Sequence, residues 1–468
     1  MIDIDQLIDE QQFGAFHARL LFWSFLAMMA DGFDMSVLAS AAPSLSREWH
    51  VTSQHLGIAF SASLMGILLG APLLGTLGDR AGRKLTVVLS LFIFGLATLM
   101  VVWTSSITQL AVLRAIAGIG LGGLMPNLIA LNAEYAPRRL RARLVVLMFT
   151  GITAGAAIPG AVQAWWVAVA GWKILFVVGG VLPLLIAFCL IVTLPESLKW
   201  LALAPEHRAR LISALQRMRP ELSLTPVTHF VSHVDSRTDD HIRNAFDGVL
   251  LWITPLLWLS FACTLMANFF VNSWLPLMLE NNGFDARASG VTTSIYHLSG
   301  MVGGIGVSLI IGRFGFGCIS ALLLIAALAI AAIGLRAPTH ALLAIAAALA
   351  GFCTLGAQFG NNSTAGVIYR TSIRSRAAGM ALAAGRMGAI AAPLVGASLI
   401  AASVSIETFF LVAAVPALVG SIACAWAALI WKQNMNSLEL IETNGLVLKH
   451  STSEATTSNC ECLRSRSP

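Results

Sequence analysis

The sequence predicts an all-α integral membrane protein, with twelve transmembrane helices in two six-helix pseudo-repeats. Three observations carry that prediction. The 468 residues are 57% hydrophobic and only 11% charged, with a mean hydropathy of +0.80. A soluble domain carries roughly 25% charged residues, so this chain cannot cover a globular surface with polar groups. The apolar residues fall into twelve separate stretches of about the 20 residues a span needs. Finally, positive charge concentrates in alternate short loops, the pattern that sets orientation in a membrane.

The stretches come in order at 18–42, 55–78, 85–104, 107–132, 142–166 and 173–194, and then at 250–278, 288–311, 317–335, 341–366, 377–401 and 408–431. The first two are parted by a loop with Arg47, and the second and third by the turn Gly78 to Lys84. Arg138, Arg139, Arg141 and Arg143 separate the fourth from the fifth, and Lys173 opens the sixth. Proline in Pro195-Glu196-Ser197 stops the sixth helix, and Ser197 can cap the next one. In the second half Arg287, Arg313, Arg336 and then Arg370, Arg374 and Arg376 punctuate the spans. The polar segment 195–248 is the main break in composition, and its stretch Leu198 to Met218 reads as an amphipathic interfacial helix.

With a cytoplasmic N-terminus, the short inside loops hold eleven basic residues and the outside loops four. The central loop adds seven more on the inside. Both termini are therefore expected in the cytoplasm. The expected units are a bundle at 1–194, a loop at 195–248, a second bundle at 249–431 and a disordered Ser/Thr-rich tail at 432–468. The net charge of +6 sits in these topogenic loops, so nucleic acid is not an expected partner; the bilayer is. The acidic start, Met1 to Glu10, lacks a basic region, so no cleaved signal peptide is expected. Seven scattered cysteines imply neither a disulfide framework nor a metal site.

Within the first span lies Ala30-Asp31-Gly32-Phe33-Asp34. Carboxylates in hydrocarbon are costly and functional by default, and a spacing of three puts both on one helix face. A shared proton-binding site is the first functional hypothesis, with the pair titrating as a unit. Arg114 and Arg386 are the arginines well inside spans. At about 1.5 Å per residue, Asp34 lies roughly 21 Å from the inner end of its helix and Arg114 roughly 10 Å from the outer end of its own. These depths nearly coincide in a core about 30 Å thick, so Arg114 is a feasible charge partner for the two aspartates. Arg386 reaches mid-membrane with no acidic neighbour in its half. It reads either as a receptor for an anionic substrate or as a structural arginine bonded to backbone carbonyls.

Other motifs resolve by context. Gly118 to Gly123 matches a dinucleotide fingerprint formally, but no strand precedes it and it lies inside a span, so helix packing is expected. Gln358, Asn361 and Asn362 near the inner end of the tenth span read as cavity lining or interhelical hydrogen bonds. Glu134, at the inner end of the fourth, is expected to meet the arginines next in the chain. In the turn Gly78-Asp79-Arg80-Ala81-Gly82-Arg83-Lys84, glycine supplies backbone freedom, and Asp79 among cations can form state-dependent ion pairs. The two halves echo each other. Tyr135, Arg141-Ala-Arg143 and Pro159 correspond to Tyr369, Arg374-Ser-Arg376 and Pro393. No nucleophile–base set appears, so an enzyme is the weakest reading.

Taken together, Asp31-Gly32-Phe33-Asp34, the turn Gly78 to Lys84, Arg114 with Gly118 to Gly123, Pro126, Asn127, Glu134-Tyr135-Ala136-Pro137, and Gly385-Arg386-Met387-Gly388 with Pro393 resemble the aromatic acid:H+ symporter family of the major facilitator superfamily. Arg370 departs from the family's usual proline, and the turn Gly312 to Gly315 lacks its acidic member. The resemblance implies proton-driven uptake of hydroxybenzoate- or benzoate-like carboxylates across a bacterial inner membrane, without cofactor or metal and by a monomer. In the mechanism expected on this basis, Arg386 or Arg114 receives the carboxylate, position in the chain suggests Phe33, Tyr296 and Gln358 around the ring, and the turn Gly78, Asp79, Arg80, Gly82, Arg83, Lys84 takes part in gating. Competing expectations are an antiporter of another organic anion and a non-transporting sensor of aromatic acids.

Overall fold

The computed structural model describes residues 13–203, 205–218, 245–335, 339–369 and 371–434, with short pieces at 2–3, 8–9, 11 and 230–231. Twelve helices are long and apolar enough to cross a membrane. The first six are α1 (Ala15–Trp49), α2 (Ser53–Ala81), α3 (Arg83–Met100), α4 (Ile107–Tyr135), α5 (Arg138–Trp165) and α6 (Lys173–Thr193). The second six are α7 (Leu250–Asn281), α8 (Ala286–Ile311), α9 (Gly315–Ile333), α10 (His340–Ile368), α11 (Thr371–Ala401) and α12 (Ile406–Asn434). An even number of crossings returns both ends of the bundle to one face, here called the terminal face. The side chains turned outward are apolar: Leu309 is 81% exposed and Val192 76%, which suits hydrocarbon rather than water.

Small residues let the helices approach closely, the expected device where lipid supplies no hydrophobic drive. Along the α2–α4 seam, Gly66 and Gly70 face Ala115 to Ile119, while Gly118 and Gly122 face Ser63 and Ile67. The run Gly118 to Gly123 is thus a packing stripe. A side-chain carbon at Gly118 would strike the Ser63 carbonyl, a backbone atom that cannot yield. Gly118→Val is expected to lower stability by at least about 1–3 kcal/mol, the cost of overpacking. A thermal melt of the purified protein in detergent reads that loss; an unchanged melting temperature would contradict the seam.

Differences from the sequence reading are local. The stretch 198–218 is two helices rather than one, Leu198–Leu203 and Arg208–Met218, joined by a tight turn at Pro205–His207. Pro205 has no backbone amide to donate to a continuing helix, which suits it to the start of the turn. Between α8 and α9 the chain stays nearly helical, and only Gly315 (φ 49°, ψ −133°) leaves the helical region. A two-residue parallel bridge joins Ile2–Asp3 to Phe230–Val231. Arg336, Arg370, the remainder of the central loop and the tail beyond residue 434 lie outside the described residues.

The two halves meet along α1–α7, α2–α11 and α5–α8. Their polar contacts are one-sided. Arg47 donates to Glu280 (2.7 Å), as does Gln163 (2.9 Å), and Ser53 donates to the Ala397 carbonyl (3.2 Å). Ser61 reaches the Ile390 carbonyl (3.0 Å) and Ser294 that of Ala157 (2.8 Å). These hydrogen bonds between the halves lie from mid-depth toward the face opposite the termini. The far face is closed in this conformation.

Candidate functional site

A cavity lies between the halves at mid-depth. Asp31, Met35 and Ser36 of α1, Phe149 and Thr153 of α5, Asn268 and Asn272 of α7, His297 of α8, Gln358, Phe359 and Asn362 of α10, and Arg386 of α11 all line it. Its walls are mainly apolar, and its polar groups are few and grouped, the usual composition of a small-molecule site.

The two aspartates have separate environments. Asp34 is fully buried. Nη1 of Arg114 donates to both of its carboxylate oxygens (2.9 Å each), and Nη2 donates to its backbone carbonyl (2.9 Å) and to Ser63 Oγ (3.3 Å). Thr98 adds a donor to Asp34 Oδ1 at 2.6 Å. A buried charge needs such a partner, because a lone one is expensive to desolvate. Four helices build the arrangement, α1 to α4, all from the first half.

Asp31, three residues earlier, is 3% exposed and turns to the cavity, where its Oδ1 has no hydrogen-bond partner among the described residues. The charge it feels most is that of Arg386 from the second half, with Asp34 a further influence. Arg386 in turn feels Asp31, yet the two form no hydrogen bond or close ion pair. The cavity is therefore bounded by one carboxylate and one guanidinium contributed by opposite halves.

Above them, toward the far face, a polar cluster joins the halves. Ser36 Oγ donates to Asn272 Oδ1 (3.1 Å), His297 Nε2 lies 2.9 Å from the same oxygen, and Asn272 Nδ2 donates to the Met35 carbonyl (3.3 Å). Sequence reasoning missed this cluster and Thr98. The signal was present: Asn268, Asn272 and His297 are polar groups inside spans, which are rarely idle.

The remaining expected site residues scatter. Gln358 lines the cavity, and its Oε1 has no hydrogen-bond partner among the described residues. Tyr296 stands behind the wall, its hydroxyl donating to Asn268 Oδ1 (2.8 Å) and lying 2.9 Å from Thr354 Oγ1. Phe33 is buried outside the cavity against Gly179, because it falls on the α6 side of α1. Asn361 links α10 to α7, accepting from Ser260 (3.1 Å) and donating to Thr264 (3.1 Å); its neighbour Asn362 is the one on the cavity.

The family model of the Major Facilitator Superfamily matches residues 24–365. The chain belongs to this superfamily. Its relatives include the gallate transporter of Pseudomonas putida, 31% identical over 90% of this chain and 94% of that one. Another is the 4-hydroxybenzoate transporter PcaK of Pseudomonas aeruginosa, 31% identical over 92% of this chain and 96% of the relative. Among solved structures, a D-xylose-proton symporter superposes with a TM-score of 0.67 at 18% identity, covering 88% of this chain and 97% of its own, which speaks to the fold. The facilitator is thus a transport protein rather than an enzyme.

At the terminal face of this facilitator, the α2–α3 turn is tied to the end of α4 and to the chain leaving α6. Gly82 adopts φ +102°, a conformation that favours glycine, and a Cβ there would crowd the Glu196 carboxylate. Gly78 lies so close to Asn127 of α4 that a Cβ would strike its amide. Glu196 accepts from the Lys84 amide (3.0 Å), and Trp200 donates to the Arg80 carbonyl (3.0 Å). Asp79 is exposed and pairs with Arg83 at 3.7 Å. Glu134 pairs with Arg83 (2.5 Å) and accepts from Ser197 (2.6 Å), and the side chain of Arg138, one of the arginines expected to meet it, lies outside the described residues. Pro137 turns the chain, so Arg139 and Arg141 start α5 and spend hydrogen bonds on the carbonyls of Gln11 and Ala136. The α2–α4 packing meanwhile carries Arg83 to Glu134.

Proposed function

We propose that this facilitator imports an aromatic carboxylate together with a proton across a bacterial inner membrane, by alternating access, with the terminal face in the cytoplasm. The observation that carries the reading is the placing of Asp31 and Arg386, one from each half, on the wall of the same cavity. While Asp31 is ionised it opposes the Arg386 charge. A proton on Asp31 removes that opposition and leaves Arg386 to receive the cargo's carboxylate, bidentate where geometry permits. Phe149, Phe359 and Phe269 offer the ring an apolar seat, and Gln358 on the cavity wall offers a hydrogen bond to a ring substituent. The names of the relatives support aromatic acids as the cargo class.

In this cycle the bundles 1–194 and 249–431 rock about the cavity, linked by 195–248. The far-face bonds of Arg47 and Gln163 to Glu280 hold the inward-facing state, while the Arg83–Glu134 and Asp79–Arg83 contacts re-form or break as α2 and α4 move against the second half. A monomer contains the whole site.

The test is uptake of labelled 4-hydroxybenzoate, gallate and benzoate into cells expressing the chain, with and without a protonophore. Accumulation that collapses with protonophore, and that rises as external pH falls, is the expected result. No protonophore-sensitive accumulation of any of the three overturns the proposal.

A further inference from the structure

A second, much smaller chamber lies beside the cavity, between α1, α2, α4 and α7. It leaves about 20 Å³ for the centre of a water molecule, and Arg114, Ser63 and Ser273 share it with Phe60, Leu38 and Leu64. About 10–15 Å³ suffices for one water, provided two to four polar groups hold it. The chamber meets both conditions. Arg114 is 2% exposed, and its Nε is a buried donor with no partner among the described residues. Ser63 already accepts from Arg114 Nη2, which leaves its own hydroxyl proton to donate. Ser273, 3% exposed, comes from α7 of the opposite half. An unsatisfied guanidinium N–H in so dry a place is costly, and one water removes the cost.

We propose that this chamber is a one-water site that bridges Arg114 of the first half to Ser273 of the second. Through it the buried Asp34–Arg114 pair is joined to the element that must move when the far face opens. Met35 and Phe269 line both chamber and cavity, so they form the septum that keeps the water from the cargo. Closure on the far face seats Ser273 and encloses the water. Parting of the halves withdraws Ser273 and opens Arg114 to bulk solvent. The water is thus the contact by which the charge pair registers the state of the transporter. The bridging site stands on geometry alone; its coupling role rests on the transport cycle proposed above.

Two measurements on the full-length protein separate these levels. X-ray radiolytic footprinting generates hydroxyl radicals at ordered waters and marks neighbouring side chains. Phe60, only 8% exposed, borders the chamber but not the cavity. It is expected to be oxidised in the wild type and several-fold less in Ser273→Val, which fills the chamber. Ser273→Ala, which removes one partner and keeps the space, provides a second variant should the valine disturb folding. Unoxidised Phe60, or oxidation unchanged in both variants, overturns the site. The second measurement compares pH-driven accumulation with exchange of preloaded 4-hydroxybenzoate. Ser273→Val is expected to lose most accumulation and to keep exchange. Loss of Phe60 oxidation with accumulation unchanged overturns the coupling role. Failure of the wild type to accumulate or exchange any aromatic acid counts against the transport reading, and with it the coupling role, while the footprint still decides the site.

Discussion

Asp31→Asn is expected to abolish proton-driven accumulation of an aromatic carboxylate while leaving the protein inserted and folded. Asparagine keeps the volume of the side chain but cannot exchange a proton. Asp31 has no hydrogen-bond partner to lose among the described residues, so the substitution removes a titratable charge and little else. Arg386 then faces the cavity permanently unopposed. Binding of the carboxylate should persist or strengthen, and exchange of internal for external substrate should continue, since neither needs net proton movement. The diagnostic result is this split, read in vesicles with an imposed pH gradient and then without one. Normal accumulation by Asp31→Asn would remove Asp31 from the coupling step.

Arg114→Gln is expected to act on the other aspartate and by a different route. It strips Asp34 of its two guanidinium contacts and leaves a fully buried carboxylate with Thr98 as its remaining side-chain donor. Breaking a buried pair from one side costs about 3–5 kcal/mol, because the abandoned charge stays in low dielectric. That is a large share of the stability of a typical domain. The expected outcome is a marked drop in folded protein on size exclusion in detergent and a lower melting temperature. Adding Asp34→Asn to Arg114→Gln should recover much of the loss, since the stranded charge is gone. If the single variant is as stable as wild type, the pair is not holding α1 to α4 together.

The contrast between the two aspartates shows what could be read from the chain and what could not. The spans were legible because hydrocarbon imposes length and apolarity on each helix separately, and no knowledge of neighbours is needed. Depth counting brought Arg114 to the level of Asp31 and Asp34, since rise per residue is fixed along a helix. It could not choose between aspartates three apart, which differ by rotation about the helix axis, nor see that Arg386 stands opposite Asp31. Contacts between halves depend on how two bundles dock, and no local pattern encodes that. Glu134 shows the same limit at smaller scale: its pairing with Arg83, remote in sequence, depends on how the α2–α3 turn docks on the end of α4. Phe33 lay in the most informative motif, yet its side of the helix takes it to α6.

Among the described residues Asp31 is the one carboxylate on the cavity wall, Asp34 being committed to Arg114. That arrangement has an electrical consequence. One proton on one carboxylate, travelling with one singly charged anion, carries no net charge through the bilayer. A membrane potential, worth about 2.3 kcal/mol per charge per 100 mV, then does no work on the proposed cycle. The concentrating power comes from the acidity difference alone, about 1.4 kcal/mol or tenfold for each pH unit. Dissipating voltage with potassium and valinomycin should leave uptake intact, whereas dissipating the pH gradient with nigericin should end it. A cell using this protein would gather its aromatic cargo best in acidic surroundings, whatever the charge on its membrane.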